Sequence, residues 1–86
     1  MMMDKVYIKK EGESAEGEWG TFYFEFADNY VTKQIEVYPA KVIYLDENNP
    51  EEGEHMLGDQ PLDQLDFDSS DRITAEEFYQ LWNNRK

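Results

Sequence analysis

The segment Thr21–Phe26 carries a phenylalanine at every second position, and this pattern constrains the fold more than any other part of the sequence. Successive side chains of a β-strand point to opposite faces of a sheet. The pattern therefore predicts a strand that holds Phe22, Phe24 and Phe26 on one face, away from water. Carboxylates and other polar side chains are expected on the opposite, solvated side of the same sheet.

Two short turns are predicted to connect this strand to two further antiparallel strands. Asp28 and Asn29 tolerate positive φ angles better than most residues, so they favour a two-residue turn. A second turn at Pro39 and Ala40 is expected to return the chain along Lys41–Leu45. Aromatic and β-branched pairs across such strands each contribute roughly 0.2–1 kcal/mol. The predicted pairs across the first turn are Phe26 with Val31, Phe24 with Lys33, and Phe22 with Ile35.

The strand between the two turns, Tyr30–Tyr38, is expected to have one apolar and one polar face. Lys33 interrupts the apolar face, so we expect it at the sheet edge with its stem on Phe24 and its amine in water. The apolar face is predicted to hold Val31, Ile35 and Val37, and the polar face Thr32, Gln34 and Glu36.

Weaker patterns assign the other segments. Asp4–Lys10 alternates as a first strand, whereas Glu11–Gly17 is rich in glycine, serine and acids and is predicted to be a mobile loop. Gly20 indicates a bulge or a close backbone approach. His55–Leu57 is a candidate fifth strand, and Pro61–Leu65 is expected to form a single helical turn or a loop.

The strongest local signal lies near the end of the sequence and predicts a helix. Thr74 and Glu77 have the spacing of a capping box, and Ile73 and Phe78 have that of a hydrophobic staple. The residues expected to pack on one side of the sheet are Phe78, Leu81 and Trp82. The residues expected near the negative end of the helix dipole are Arg85 and Lys86.

The formal net charge of −12, from 20 acidic and 8 basic side chains, limits the partners of this chain. It argues against nucleic acid and anionic membranes, which need a basic patch. It permits a basic protein partner, although solubility alone also explains it. The long stretch from Val42 to Asp71 contains no lysine or arginine. With no cysteine and no apolar run near the ~18 residues of a membrane span, a cytoplasmic protein is predicted.

A partner surface is predicted from exposed aromatic and acidic side chains. Tyrosine and tryptophan are enriched at binding hot spots, so outward-facing rings on the sheet are candidates, although such rings are equally expected under covering loops. The candidate residues are Trp19, Tyr23, Tyr30, Tyr38, Asp46, Glu47, Glu51, Glu52 and Glu54.

The segment 66–77 follows the ligand spacing of a calcium-binding EF-hand loop and gives an alternative function. Such a loop binds calcium through oxygen atoms at fixed positions. The candidate side-chain ligands are Asp66, Asp68, Ser70, Thr74 and Glu77, with the carbonyl of Arg72. Asp71 stands where the loop normally needs glycine, and a capped helix preceded by acids explains the same residues without a metal.

The sequence gives little support for catalysis, and no catalytic or cofactor-binding residue is predicted. His55 is the single histidine, and there is no thiol for it to activate. No glycine-rich phosphate loop follows a strand. An enzyme would need a pocket in which His55 or Lys33 meets a carboxylate.

Short motifs in a fixed order suggest a family. They are Phe24-x-Phe26, Gln34-x-Glu36-x-Tyr38, Ile43-x-Leu45, Met56-Leu57-Gly58-x-x-Pro61-Leu62 and Ile73-Thr74-x-x-Glu77-Phe78-x-x-x-Trp82. This order resembles a bacterial family of small domains of unknown function. The resemblance implies an antiparallel sheet with a C-terminal helix and no activity, cofactor or site residue. Such sheets often turn on Asp-Gly, where this chain has Ala40-Lys41.

These observations predict a single α+β domain over residues 1–86. We expect a twisted antiparallel sheet of four or five strands with one C-terminal helix packed on it. The function expected is a non-enzymatic acidic interaction module, such as an immunity protein or another inhibitor of a basic partner. It is expected to work as a monomer or homodimer, with a calcium-binding loop as the alternative function.

Overall fold

The computed structural model describes residues 5–14 and 16–85. The strands are β1 Lys5–Glu13, β2 Trp19–Ala27, β3 Tyr30–Tyr38, β4 Lys41–Asp46, β5 Glu51–Glu52, β6 His55–Met56 and β7 Arg72–Ile73, and the helix α1 is Ala75–Trp82. The main element is a five-stranded antiparallel sheet with strand order β4-β3-β2-β1-β7, and a separate two-stranded sheet pairs β5 with β6. The predicted α+β architecture is confirmed.

The first hairpin is longer than predicted. β1 continues to Glu13, which pairs with Trp19, so the expected loop shrinks to the residues after Glu13. Ser14 shapes that connection, because its hydroxyl accepts hydrogen bonds from the backbone N–H groups of Glu16 and Glu18. The predicted start of the strand at Asp4 lies outside the described residues.

The fifth strand of the main sheet differs from the predicted one. His55 and Met56 do form a strand, but it pairs with β5 outside the main sheet. The fifth strand is β7, where Ile73 pairs with Tyr7 of β1. Two residues are too few to show an alternating pattern, so β7 could not be predicted from periodicity.

Both predicted turns of the meander are present. Asp28 and Asn29 have φ angles of 53° and 75°, the left-handed values that their short polar side chains tolerate. Pro39 and Ala40 connect β3 to β4 without a positive φ angle, which removes the need for an Asp-Gly pair there. Pro61–Leu65 contains a 3₁₀ turn, Leu62–Gln64, as expected.

The predicted register between β2 and β3 is wrong beyond the first pair, because β3 contains a bulge at Thr32. Phe26 pairs with Val31 as predicted, but Glu25 pairs with Lys33, which leaves Thr32 as an extra residue. A shift of one residue moves every later side chain to the other face. The corrected pairs include Phe24 with Gln34, Tyr23 with Ile35, Phe22 with Glu36, and Thr21 with Val37.

Both faces of the sheet are covered, and the bulge determines which side chains of β3 lie on each face. The helix face, opposite the phenylalanines, buries Tyr7 and Ile35 against Phe78 and Trp82 of α1, with Leu81 packed beside them. Ile73 packs on this cluster, as the hydrophobic staple requires. The helix packing predicted from the sequence is therefore confirmed.

The helix ends show part of the predicted capping. The Thr74 hydroxyl accepts a hydrogen bond of 3.1 Å from the Glu77 N–H, and the reciprocal bond from Thr74 to the Glu77 carboxylate is not among those formed. Arg85 donates to the carbonyl of Trp82 in the last turn. Lys86 lies outside the described residues.

The phenylalanine face is covered by the segment that follows β6. Ile8, Phe26 and Val31 are buried there, and Leu57 lies against the same cluster. The other side chains packed on this cluster are Val6, Phe24, Leu62, Leu65 and Phe67. Gln34 and Glu36 share this face and are buried, at 3% exposure each, so the predicted solvated polar face is wrong. The bulge turns both side chains toward the phenylalanines, and the segment after β6 covers that face.

None of the helices within residues 5–14 and 16–85 has the length and apolar character that a membrane crossing requires.

Gly20 lies where β2 and β3 approach each other closely. A Cβ atom there would lie 2.5 Å from Cδ1 of Tyr38 and 2.7 Å from the carbonyl oxygen of Val37. Its cross-strand partner Gly12 has room, because a Cβ there would meet only Phe22 Cε1 at 4.0 Å. The close approach predicted from the sequence is confirmed.

We expect Gly20→Ala to lower the free energy of unfolding by about 1–3 kcal/mol, because the backbone must shift to admit the methyl group. Urea denaturation of the purified variant measures the change. Gly12→Ala is the matched control and should change stability by less than about 0.5 kcal/mol. Equal effects of the two substitutions would contradict the steric explanation.

Candidate functional site: an acidic segment beside two cavities

The acidic residues after β4 lie on a folded segment rather than on a loose loop. Asp46 Oδ1 accepts hydrogen bonds from the N–H groups of Asn48 and Asn49, at 2.9 and 2.8 Å. Beyond this turn, β5 and β6 form a hairpin whose tip residue Gly53 has a φ of 61°. We call residues 46–54 the acidic segment.

Most carboxylates of the acidic segment are exposed and have no basic partner. Among the residues that the structure describes, no ion pair includes Glu47, Glu51, Glu52 or Glu54, and all four are exposed. The described lysines that form ion pairs use other acids, namely Lys5 and Lys33 with Glu25, Lys10 with Asp71, and Lys41 with Glu16 and Glu18. The acidic segment therefore carries uncompensated negative charge.

One cavity opens between the acidic segment and the end of α1. It has a volume of about 240 Å³. Its rings are those of Tyr44 and Trp82, which meet edge to face with centroids 5.9 Å apart. We call it the aromatic cavity, and it is lined by Tyr44, Asp46, Asn49, Glu52, Trp82 and Arg85.

A second cavity of about 250 Å³ lies on the other side of β5 and contains His55. We call it the histidine cavity, and it is lined by Glu16, Lys41, Ile43, Glu52, Gly53, Glu54 and His55. Glu52 lines both cavities, so the β5–β6 hairpin separates them. The two cavities and the acidic segment form one continuous candidate surface.

His55 is buried and held by a carboxylate on the phenylalanine face. Its Nδ1 lies 2.8 Å from Glu36 Oε1, and its Nε2 lies 3.8 Å from Glu16 Oε1. Glu36 also accepts hydrogen bonds from Gln34 Nε2, at 2.6 Å, and from the Tyr38 hydroxyl. Burial, together with the bond to Glu36, raises the pKa of Tyr38. This network anchors the acidic segment to the sheet through His55.

Lys33 also meets a carboxylate, but it is half-buried on the helix face and lies in neither cavity. Its Nζ lies 3.1 Å from Glu25 Oε1 and over the rings of Tyr79 and Trp82, at 5.7 and 5.8 Å from their centroids. The predicted position, with the stem on Phe24, is wrong because the bulge places Lys33 on the helix face. Lys33 therefore links the sheet to α1.

Glu25 is the acceptor at the centre of that link. It is 1% exposed. Its donors are the hydroxyls of Thr32 at 2.7 Å, Tyr7 at 3.0 Å and Tyr79, with Lys33 at 3.1 Å. Burial by itself raises the pKa of Glu25, but these hydrogen bonds more than offset it and hold the pKa at about 2. Burial and the bond to Glu25 raise the pKa of Tyr79 to about 12. Glu25 is thus an ionised, fully bonded structural carboxylate.

The predicted aromatic part of the partner surface does not form one patch. Trp19 and Tyr30 are exposed, at 60% and 57%, but they lie at opposite ends of the β2–β3 pair. Eight residues of strand separate those ends by about 26 Å. Tyr23 packs against the helix cluster, and Tyr38 is buried at 4% exposure, contrary to its predicted outward position. The acidic candidates, by contrast, lie together on the acidic segment.

The predicted calcium loop takes up a different set of contacts. Asp68 caps a 3₁₀ turn, Ser69–Asp71, by accepting from the Ser70 N–H and hydroxyl, at 3.2 and 2.5 Å. Lys10 Nζ donates to the Asp66 carbonyl, at 2.6 Å, and lies 3.3 Å from Asp71 Oδ2. Thr74 caps α1, as described above, and the Glu77 side chain is exposed. In residues 5–14 and 16–85, no group of three or more histidine or acidic side chains is arranged to hold a metal ion.

Comparisons of the chain with protein-family models, curated proteins and solved structures find no match in any of the three. The resemblance to a bacterial family of small domains therefore stays a prediction, and no functional residue is transferred from a relative.

Sequence reasoning missed the buried carboxylates Glu25 and Glu36. On a regularly alternating strand, each occupies a position that is expected on the solvated face. Both are buried because α1 and the segment after β6 cover the two faces of the sheet. The one available signal was the run Gln34-x-Glu36-x-Tyr38, which places three hydrogen-bonding side chains on one face of a strand.

Glu25→Gln should lower the free energy of unfolding at pH 7 by about 1–3 kcal/mol, because it removes a charged acceptor from four donors. The folded-state pKa of Glu25, about 2, lies below its ordinary value of 4.5. Its contribution is therefore fully present above about pH 4.5 and is lost as the pH falls toward 2.

Urea denaturation across this range measures the difference in stability between wild type and variant. We expect that difference to shrink from pH 4.5 toward pH 2. Glu47→Gln, at an exposed site, is the control and should show no such trend. A constant difference for Glu25→Gln would contradict the assignment.

Calcium should not bind to the loop 66–77. Asp68 and Ser70 bond to each other in the 3₁₀ cap, Thr74 caps α1, and the cation of Lys10 lies beside Asp71. We expect no heat in a calorimetric titration with calcium and no change in Tm. Saturable heat that is lost in Asp68→Asn would instead support the calcium loop. Magnesium at the same concentration is the control for general ionic effects.

Proposed function

We propose that this chain is a non-enzymatic interaction module that binds a basic protein through its acidic segment. The observation that carries the proposal is the group of exposed carboxylates at Glu47, Glu51, Glu52 and Glu54, which have no basic partner in the described part of the chain. An immunity protein or another inhibitor of a basic partner would present such a surface.

The charge of the chain supports long-range attraction toward such a partner. A net charge of −12 on 86 residues creates a negative field that speeds encounter with a positive surface. The acidic segment concentrates part of that charge at the β4 edge of the sheet. Attraction of this kind weakens as salt screens it.

The contacts that hold the acidic segment in place favour binding, rather than solubility, as its role. The hairpin is held by His55, whose ring contacts buried Glu36, and by the Leu57 N–H, which donates to the Pro50 carbonyl at 2.7 Å. Carboxylates that serve solubility alone do not require a backbone held by such contacts. A hairpin whose backbone is ordered before binding loses less conformational entropy when a partner arrives.

Catalysis has weaker support, although His55 meets Glu36 beside a cavity. The residues that line the histidine cavity include no hydroxyl or thiol nucleophile. The free Nε2 of His55 faces Glu16 rather than a group that it would activate. The same arrangement is better suited to anchoring the hairpin.

The cytoplasm is the location that we propose for this interaction. The chain has no cysteine, which suits a reducing compartment where disulfides do not form. The proposed partner is a protein in the same compartment, and the module acts on it as a monomer or homodimer.

A triple variant tests the proposal, with Glu47→Gln, Glu51→Gln and Glu54→Gln combined. The probe is a fluorescently labelled hexa-arginine peptide, and its Kd is measured by anisotropy at low and at physiological salt. We expect the variant to bind at least about tenfold more weakly at low salt, because three uncompensated charges are removed. Affinity of the wild type should fall as salt rises.

The matched control is Asp63→Asn, Asp66→Asn and Glu76→Gln, which removes three exposed charges elsewhere. Equal weakening in both triple variants would show that net charge alone attracts the peptide, and this would overturn the proposed surface. Wild-type binding that does not change with salt would also overturn the proposed surface.

A further inference from the structure

The aromatic cavity combines the two kinds of group that bind a cationic side chain. Tyr44 and Trp82 supply ring faces or edges, and Asp46 and Glu52 supply carboxylates. A cation over a ring face is attracted by the ring quadrupole, and a carboxylate accepts charge-assisted hydrogen bonds. The volume of about 240 Å³ is smaller than the roughly 300–1,000 Å³ of typical small-molecule sites. The size therefore suits one side chain of a partner.

A guanidinium group already lies on the ring of this cavity. The Cζ atom of Arg85 is 4.4 Å from the Trp82 ring centroid, and its Nη1 donates to the Trp82 carbonyl at 2.8 Å. Arg85 is exposed and forms no ion pair with an acid in the described part of the chain. Its side-chain hydrogen bond and its ring contact both go to Trp82, so another guanidinium that stacks on this ring would compete with it directly.

The acids of the cavity remain open to an incoming cation. Asp46 uses Oδ1 for two backbone N–H groups, and its Oδ2 has no hydrogen-bond partner among the described residues. Glu52 is exposed on β5. Lys33 also lies near the Trp82 ring, but Glu25 at 3.1 Å offsets its charge. The net charge at the mouth of the cavity therefore favours a cation.

We propose that the aromatic cavity binds an arginine side chain of the basic partner, which takes the place of Arg85 on the Trp82 ring. This inference rests on the proposed function and names the side chain that it recognises. Arginine suits the cavity better than lysine, because its planar group stacks on an aromatic ring while its N–H groups pair with a carboxylate. Arg85 then acts as an internal competitor.

The first test follows the two indole N–H signals by NMR during titration with acetylated hexa-arginine and hexa-lysine peptides. Trp82 lines the cavity, whereas exposed Trp19, at the start of β2, is not among the lining residues and serves as an internal control. We expect a saturable shift of the Trp82 signal and tighter binding of the arginine peptide. A shift at Trp19 alone, or equal affinities for the two peptides, would overturn the inference.

The second test compares Arg85→Ala with Arg72→Ala. Each variant removes one exposed arginine, and Arg72 lies on β7 at the opposite edge of the sheet. Loss of a competing cation–π contact should tighten binding of hexa-arginine by about threefold to tenfold in Arg85→Ala. Arg72→Ala should change it by less than about twofold. Equal changes in the two variants would contradict displacement of Arg85.

A third variant, Asp46→Asn, keeps the acceptor of the local turn and removes the charge. We expect it to weaken arginine binding by about threefold or more. If the peptides bind without a shift of the Trp82 signal, or bind these variants as tightly as the wild type, the cavity inference fails. The acidic segment then remains the proposed surface. If no basic peptide binds the wild type at low salt, the proposed function itself fails.

Discussion

One extra residue in β3, Thr32, determines which side chains meet on each face of the sheet. It lies between the pairs Glu25–Lys33 and Phe26–Val31 and shifts the register by one residue. Its hydroxyl donates to the Glu25 carboxylate at 2.7 Å, so the side chain that creates the shift also bonds to the residue opposite it. Ile35 consequently packs under α1. A regular strand would place it with the phenylalanines, and α1 would lose its central contact.

The same shift explains why each face of the sheet contains a buried carboxylate. Glu25 lies on the helix face and is satisfied by hydroxyl groups and Lys33, and Glu36 lies on the phenylalanine face and is satisfied by Gln34, Tyr38 and His55. Burial of an unpaired carboxylate would cost several kcal/mol. Each carboxylate instead joins the sheet to the layer that covers it. Hydrogen bonds thus fix the position of α1 on one face and of the acidic segment on the other.

The sequence predicted the parts of this fold that depend on local chemistry. The Asp28–Asn29 turn, the alternating phenylalanines and the Thr74 cap arise from neighbouring residues, and all three are present. The bulge at Thr32 could not be predicted, because it depends on Glu25 in another strand. The aromatic cavity depends on Trp82 and Tyr44, which are 38 residues apart in the numbering and meet only through tertiary packing. Composition alone indicated the acidic residues of the candidate surface, but not their grouping around the two cavities.

The described lysines that form ion pairs do so with acids outside the acidic segment. Lys5, Lys10, Lys33 and Lys41 form ion pairs with acids that shape the sheet and its connections. The described residues provide no such pair for Glu47, Glu51, Glu52 and Glu54, so these carboxylates repel one another. The hairpin tolerates that repulsion because the His55–Glu36 contact holds it from the buried side. A basic surface that docks on the segment relieves the repulsion, and this relief adds to the attraction between opposite charges. The fold does not depend on ion pairs of these four carboxylates, so a partner of the proposed kind could neutralise them without loss of the fold.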